Sequence, residues 1–294
     1  MGFGKGRLGT NAPFAALAPY VPAIGLPMKV ARSTDRAPTA RKAKIAKLLR
    51  EVSPENLRAL VEMLAFPRHY QRESTANRKA RDLLLKHARS LGYVPSLQGR
   101  FDNIVIMTQP PEDGPFVLLG AHYDSVPRTP GADDNASAVA VCLECARLIK
   151  KHNIGPAMVV LFNREEDGLL GSSEFVAHLA DHPPSSVKEA HVFEMVGYRN
   201  RTPGSQRMPP GLPIMAARDT GDFLALLANR SSNPIAEELL TLAARYILTT
   251  SAGRHRRTPV GAATMGRSIR IGCSSMRSIS WLSVHLGSSS PSSS

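Results

Sequence analysis

The last part of this 294-residue sequence lacks acidic side chains, and the chain as a whole has few cysteines. No Asp or Glu follows Glu238. The three cysteines, Cys142, Cys145 and Cys273, are too few to form a disulfide framework, which excludes the small disulfide-stabilised class of protein. Because Cys142 and Cys145 lie in an apolar, helix-like stretch, we expect buried side chains there and not a redox or zinc pair. The sequence also has no run of eighteen apolar residues, so no transmembrane helix is predicted.

The net charge of +13 is concentrated at the two ends of the chain. Residues 1–50 contain ten Lys and Arg but one acid, and residues 239–294 contain seven Arg. Basic ends can bind nucleic acid, but solvated arms are the simpler interpretation, and no specific nucleic-acid partner is predicted. Thirteen of residues 250–294 are serine. We therefore predict a basic disordered leader over 1–41, a folded domain over 42–246 and a Ser/Arg-rich disordered or non-native tail over 247–294.

Segments typical of strands and helices alternate through the predicted domain. Strands are expected at 103–107, 116–121, 158–162 and 190–195, and helices at 54–65, 75–91, 135–150, 173–179, 222–229 and 235–246. This alternation favours a three-layer α/β/α fold with a mostly parallel, mixed central sheet. Because periodicity fades after Tyr246, the C-terminal strands of such a sheet are expected to be missing or replaced.

Side chains typical of metal ligands follow three predicted strands and precede one helix. They occur in the segments LLGAHYDSV, PGADDNAS, LFNREEDG and VFEMVGY, and the candidates are His122, Asp124, Asp133, Glu165, Glu166 and Glu194. In an open α/β sheet, ligands bind beyond the carboxyl ends of the strands, where all four segments would meet. Carboxylate and imidazole groups without thiolate suit zinc or another divalent first-row ion.

The segments HYDS, GADDNAS, EED and EMVGY resemble the metal-binding segments of the co-catalytic two-zinc aminopeptidases, a family that includes bacterial leucyl aminopeptidases, aminopeptidase Y and glutamate carboxypeptidase II. The resemblance covers roughly residues 50–235. The order and spacing of four separate segments make it specific. It implies a metallo-aminopeptidase that hydrolyses the N-terminal residue of a peptide with a free N-terminus.

The resemblance also implies a role for each candidate residue. His122 and Glu194 would bind one zinc ion, Glu166 the other, and Asp133 would bridge the two. Asp124 would accept a hydrogen bond from His122 and fix its tautomer. Glu165 would act as the general base, and Asp134 would shape the loop beside Asp133.

The family's fifth ligand, a histidine in a Ser-Asp-His-x-x-Phe segment, has no counterpart in this sequence. The later histidines are His255, among three arginines, and His285, in the serine-rich tail, and neither is expected to bind metal. The second zinc site is therefore predicted to be weak. A frameshift near Tyr246 would explain the change in composition.

Three other interpretations of the chain remain open. It could be an inactive pseudo-peptidase, a binding module that uses its basic ends, or a one-zinc transferase like the related glutaminyl cyclases. Cytoplasmic localisation is expected because no clear signal peptide is present, with secretion or a periplasmic location as the alternative. The sequence does not fix the oligomeric state.

Overall fold

The computed structural model of the chain describes residues 29–31, 40–110, 115–181, 187–205, 221, 224–227, 232–250, 260–263 and 269–273. The strands are β1 Lys29–Ala31, β2 Ser96–Gln98, β3 Asn103–Met107, β4 Phe116–His122, β5 Ala157–Phe162, β6 Val187–Glu194, β7 Leu224–Leu227, β8 Val260–Ala263 and β9 Ile269–Cys273. The α-helices are α1 Ala40–Arg50, α2 Pro54–Leu64, α3 Ser74–Ser90, α4 Ala138–His152, α5 Leu170–Asp181 and α6 Asn233–Thr250, and a π-helical segment, Ala132–Ser137, leads into α4.

The strands form one mixed sheet in the order β1-β8-β7-β9-β6-β4-β5-β3-β2. Strands β5, β4, β6 and β9 run parallel to one another at its centre. Antiparallel pairs flank this centre, β3 with β5 on one side and β7 with β9 on the other. The parallel centre matters for function because it directs the carboxyl ends of β4, β5 and β6 to the same edge of the sheet.

Both faces of the central strands are covered, as the apolar runs predict. All six residues of β5 are buried. Val159 and Leu161 pack in a core with helices α2, α3 and α4, whereas Val160 and Phe162 pack with Phe175 of α5 on the other face. Successive side chains of a strand point to opposite faces, so a continuous apolar run requires cover on both sides. The predicted three-layer α/β/α class is confirmed.

Local signals place the helices near the positions that the sequence predicts. Helix α2 begins where Ser53 Oγ accepts a hydrogen bond from the amide of Asn56 at 3.1 Å, with Pro54 in the first turn. Helix α3 ends just before Gly92, whose φ of 80° lies in the left-handed region that favours glycine. None of the helices in the described parts of the chain is long and apolar enough to cross a membrane.

The sequence-based prediction is wrong at residues 224–227. A helix is predicted over 222–229, but residues 224–227 form β7, which pairs in parallel with β8 and antiparallel with β9. The run Leu-Ala-Leu-Leu is apolar without a diagnostic period, so pairing with two neighbouring strands decides its conformation.

The ends of the chain contain strands where disorder is predicted. Strand β1 lies inside the predicted leader, and β8 and β9 lie inside the predicted tail, where they add to the sheet. Strands thus occupy part of the segment in which terminal strands are expected to be missing or replaced. The boundaries at 41 and 246 stay predictions, since most residues beyond them lie outside the described residues.

Candidate metal centre

Three neighbouring strand ends bring the predicted site residues together. His122 is the last residue of β4, Glu194 is the last residue of β6, and Glu165 and Glu166 follow β5. Because β4 lies between β5 and β6 in a parallel arrangement, the three ends meet at one edge of the sheet. The π-helical segment comes to the same edge and adds Asp134.

His122 is the centre of the cluster and is 3% exposed. Its Nδ1 lies 3.2 Å from Oδ1 of Asp124, which is fully buried. Its Nε2 faces two other carboxylates, Oδ1 of Asp134 at 3.2 Å and Oε1 of Glu194 at 3.4 Å. If Nδ1–H donates to Asp124, the lone pair of Nε2 points at two anionic groups. That arrangement is unfavourable unless Nε2 is protonated or a metal cation lies among the three groups.

Asp124 joins the end of β4 to the loop after β5. Its Oδ1 accepts the amide N–H of Glu165, and its Oδ2 accepts that of Glu166, both at 3.2 Å. One buried carboxylate thus orients the imidazole of His122 and fixes the backbone that carries both glutamates. This contact agrees with the role that the resemblance implies for Asp124.

The potential ligand atoms form two groups, each with all atoms within 4.8 Å of one another. The first is His122, Asp134 and Glu194, and the second is His122, Glu165 and Glu166. One imidazole nitrogen and two carboxylates are a ligand set that suits a zinc ion, whose fourth coordination position is commonly taken by water. Both groups use His122, whose Nδ1 is already hydrogen-bonded to Asp124. Within the residues that the structure describes, one three-ligand site is therefore complete.

Burial and mutual repulsion perturb the acids and the imidazole. Burial raises the pKa of Glu166 to about 8, with the charges of Asp134, Glu165 and Asp124 adding to this effect and His122 opposing it. Burial opposes a charge on His122, but the carboxylates of Glu194 and Glu165 raise its pKa well above the ordinary value. Oε1 of Glu166 is buried and has no hydrogen-bond partner among the described residues. The cluster has more negative charge than its neighbours neutralise, so these residues fit a bound divalent cation.

The positions of Asp133 and Asp134 differ from those that the sequence predicts. Asp134, which is expected to shape the loop, lies with His122 and Glu194. Asp133, the predicted bridging ligand, lies outside both ligand groups. Its Oδ1 accepts amide hydrogen bonds from Gly197 at 2.8 Å and Tyr198 at 3.0 Å. Its Oδ2 is buried and has no hydrogen-bond partner among the described residues. The structure therefore places Asp134, and not Asp133, beside His122 and Glu194, and the bridging role of Asp133 stays a prediction.

Arg68, which the sequence analysis does not single out, lies behind the site with no exposed surface. Its guanidinium donates to five backbone carbonyl oxygens at 2.6–3.2 Å, those of Leu64, Phe66, Tyr123, Pro130 and Gly131. Burial lowers its pKa to about 10, so it stays charged at neutral pH. Arg68 joins the residue after His122 to the loop before Asp134, and no short-range pattern predicts such contacts.

His69 supports the loop that carries Glu165 and Glu166. Its Nδ1 accepts the amides of Gln71 and Arg72, each at 3.2 Å, and its Nε2 lies 3.3 Å from Oδ1 of Asp167. Because Nδ1 is an acceptor, the proton is on Nε2, which donates to Asp167. His69 is thus structural, yet only one residue separates its partner from Glu165.

Comparison with known proteins tests the resemblance that the sequence motifs predict. Residues 103–243 match the family model of Peptidase family M28. The predicted resemblance to the co-catalytic zinc aminopeptidases is confirmed. The M28 match spans β3 to α6 and so includes every candidate metal ligand. His255 and His285 lie outside both this match and the described residues.

Relatives with known sequences show how far the similarity extends. The chain is 36% identical over 200 residues to the uncharacterized protein YfbL of Escherichia coli strain K12, a match covering 60% of each chain. It is 43% identical over 83 residues to the aminopeptidase YwaD of Bacillus subtilis strain 168, which covers 28% of this chain and 18% of that protein. The chain thus spans about 60% or less of the length of these curated relatives.

A solved structure confirms the fold. The LapA aminopeptidase of Legionella pneumophila matches with a TM-score of 0.62 over 82% of this chain and 66% of that chain. The sequence identity is 17%, so the likeness concerns the fold alone.

Proposed function

We propose that this chain is a metal-dependent aminopeptidase. The observation that carries the proposal is the cluster of His122, Asp134 and Glu194 at the ends of two parallel strands, with Glu165 and Glu166 beside it. Zinc is the expected ion, because it accepts mixed nitrogen and oxygen ligands and leaves a position open for water.

The residues of the site have separate roles in the proposed reaction. A bound zinc ion would lower the pKa of its water and polarise the scissile carbonyl group. Glu165, held by the hydrogen bond between its amide and Asp124, accepts the proton of the attacking water and passes it to the leaving amine. Asp124 accepts the hydrogen on Nδ1 of His122, which fixes the ring so that Nε2 is the nitrogen directed at the metal.

The substrate class follows from the charge of the site. Glu165, Glu166, Asp134 and Glu194 provide a concentration of carboxylates that exceeds what one divalent cation neutralises. We propose that the excess negative charge attracts the ammonium group of a peptide with a free N-terminus. Internal peptide bonds lack that group and would be poorer substrates.

Glu165→Gln tests this function directly. Because Gln keeps the size of Glu but cannot accept the proton, hydrolysis of a leucine anilide should fall by about 10²–10⁴-fold while bound zinc is unchanged. The matched control is Glu62→Gln on α2, where the side chain is exposed and activity should not change. Equal activity of the Glu165→Gln variant and the unsubstituted protein would contradict the proposal.

Two alternative functions follow from the missing histidine segment, because without its fifth ligand the chain is expected to bind one zinc ion in place of two. A single zinc ion without turnover of the anilide would identify an inactive pseudo-peptidase. Cyclisation of an N-terminal glutamine by the one-zinc protein would identify a transferase. Zinc stoichiometry of the purified protein, measured beside both assays, separates the three outcomes.

A further inference from the structure

Four consecutive backbone amides follow Glu194, and all four donate to side chains of the π-helical segment Ala132–Ser137. We call residues 195–198 the post-β6 turn. The hydrogen bonds run from Met195 N to Asn135 Oδ1 at 3.1 Å, from Val196 N to Ser137 Oγ at 3.0 Å, and from Gly197 N and Tyr198 N to Asp133 Oδ1 at 2.8 and 3.0 Å. Three side chains from one short segment therefore hold the complete turn.

The buried amide of Asn135 brackets Glu194. Its Nδ2 donates to the carbonyl of Phe193 at 3.1 Å, while its Oδ1 accepts from the amide of Met195. Met195 has a φ of 47°, in the left-handed region that non-glycine residues rarely adopt. The chain thus turns sharply just after Glu194, in a conformation that the surrounding contacts must maintain.

Asp133 anchors the far end of the post-β6 turn. Its Oδ1 accepts three hydrogen bonds, the third from Oγ of Ser137 at 3.1 Å. Gly197 and Tyr198 are exposed, so water could satisfy their amides, and burial alone does not require this anchor. Backbone and carboxylate are also closely packed, because a Cβ on Gly197 would lie 2.7 Å from Cβ of Ser137 and 3.2 Å from Oδ1 of Asp133.

We propose that Asp133 is a positioning residue that sets the affinity of the metal site without contacting the metal. By holding the post-β6 turn, it fixes the direction in which Glu194 presents its carboxylate to His122. Its neighbour Asp134 supplies the metal ligand. Of the two adjacent acids, one therefore binds the backbone of the turn and the other binds the metal. The proposal rests on the proposed function, since it concerns the same metal site.

Two substitutions of Asp133 separate positioning from ligation. Asp133→Asn retains an oxygen that can accept from Gly197 and Tyr198, so zinc affinity should stay within about threefold of the unsubstituted protein. Asp133→Ala removes the acceptor and should weaken zinc binding about 10-fold or more, the size seen when residues that orient ligands are lost. Zinc affinity is measured by competition with a chelator. Equal, large losses in both variants would show that the charge or ligation of Asp133 matters, which overturns the proposal.

Amide hydrogen exchange of the metal-free protein provides an independent measurement. Exchange at Gly197 and Tyr198 should be slow for exposed residues, unchanged in Asp133→Asn and faster in Asp133→Ala. Asp82→Ala, which removes an exposed acid from α3, should alter neither zinc affinity nor exchange in the turn. Thermal unfolding confirms that each variant is folded. Ser137→Ala offers a milder variant, because it removes the acceptor of the Val196 amide and the hydroxyl contacts with Asp133 but leaves the bonds from Gly197 and Tyr198 to Asp133 in place.

Zinc affinity and hydrogen exchange together distinguish failure of the proposed function from failure of the positioning role. If the unsubstituted protein binds no zinc, the proposed function fails, and fast exchange at Gly197 and Tyr198 in that protein would show that the anchor is absent too. If zinc binds but Asp133→Ala changes neither zinc affinity nor exchange, the positioning role alone is overturned.

Discussion

Two regions at the carboxyl ends of β4 and β5 differ in whether their buried polar groups have hydrogen-bond partners. Behind the strand ends, a buried polar network pairs its donors and acceptors, as when Arg68 donates to five carbonyl oxygens and Asn77 and Asn163 bond to each other at 3.0 Å in both directions. In front, His122 faces several carboxylates, and the buried Oε1 of Glu166 has no hydrogen-bond partner among the described residues. The contrast indicates that the network maintains the fold, whereas the described residues do not neutralise the acid cluster, which therefore fits a bound cation.

Removing the centre of the network should have the largest effect. Arg68→Met removes five hydrogen bonds. The carbonyls of Leu64 and Gly131 keep a backbone donor, but the other three lose the donor that Arg68 provides, and an unsatisfied buried group costs about 1–3 kcal/mol. We expect the free energy of unfolding to fall by at least about 3 kcal/mol in urea denaturation, with much of the protein unfolded at ambient temperature. Arg78→Met, at an exposed position on α3, is the control and should change little.

Arg68→Lys refines this test. Lysine keeps the positive charge, but one ammonium group cannot reach carbonyls on both sides of the loop. If the charge alone were important, this variant would be as stable as the unsubstituted protein. Loss of stability in both variants, with Arg78→Met unaffected, is the expected result.

The acid cluster should make metal-free protein less stable as the pH rises. The folded protein raises the pKa of Glu166 from 4.5 to about 8, and the pKa of His122 shifts in the same direction. At pH values between 4.5 and about 8, the folded state binds more protons than the unfolded chain. The stabilisation from these protons is therefore fully present below about pH 4.5 and is lost as the pH rises through about 8. The melting temperature in the presence of a chelator should therefore fall by several degrees between about pH 5 and about pH 8.

Glu166→Gln and added zinc sharpen the same comparison. Glutamine removes the titrating carboxyl group of Glu166 and leaves His122, so the melting temperature should fall less steeply with pH in this variant. Zinc should reverse the decline in the unsubstituted protein, because it binds the deprotonated ligands and stabilises the folded state. A melting temperature that rises with pH in metal-free protein would contradict this account of the cluster.

Much of the fold could be predicted because it rests on local patterns. The run Met158–Phe162 is long enough and apolar enough to require a strand that is buried on both faces, and Ser53-Pro54 marks a helix start. The run at 224–227 could not be assigned, since its conformation depends on pairing with strands that lie later in the chain. Periodicity describes neighbours along the chain, whereas this strand is defined by neighbours in space.

The site could be predicted as a set of residues but not in every role. His122, Asp124, Glu165, Glu166 and Glu194 meet where the strand ends predict. Asp133 and Asp134 are chemically identical neighbours, and only the backbone direction decides which one faces His122. Arg68 was missed because its partners, from Leu64 to Gly131, are carbonyl groups that every residue carries.

Tyr123→Phe should produce the smallest of these effects and tests whether network and cluster are separable. The buried hydroxyl of Tyr123 donates to the carbonyl of Asp102 at 2.9 Å and accepts from Nδ2 of Asn163 at 2.7 Å. Its loss should lower the free energy of unfolding by roughly 1–2 kcal/mol, while zinc affinity stays unchanged because Asp124 still orients His122. Arg78→Met, the exposed control on α3, should have little effect on either quantity. If Tyr123→Phe instead weakened zinc binding tenfold at constant stability, the two regions would be coupled, and the division between network and cluster would fail.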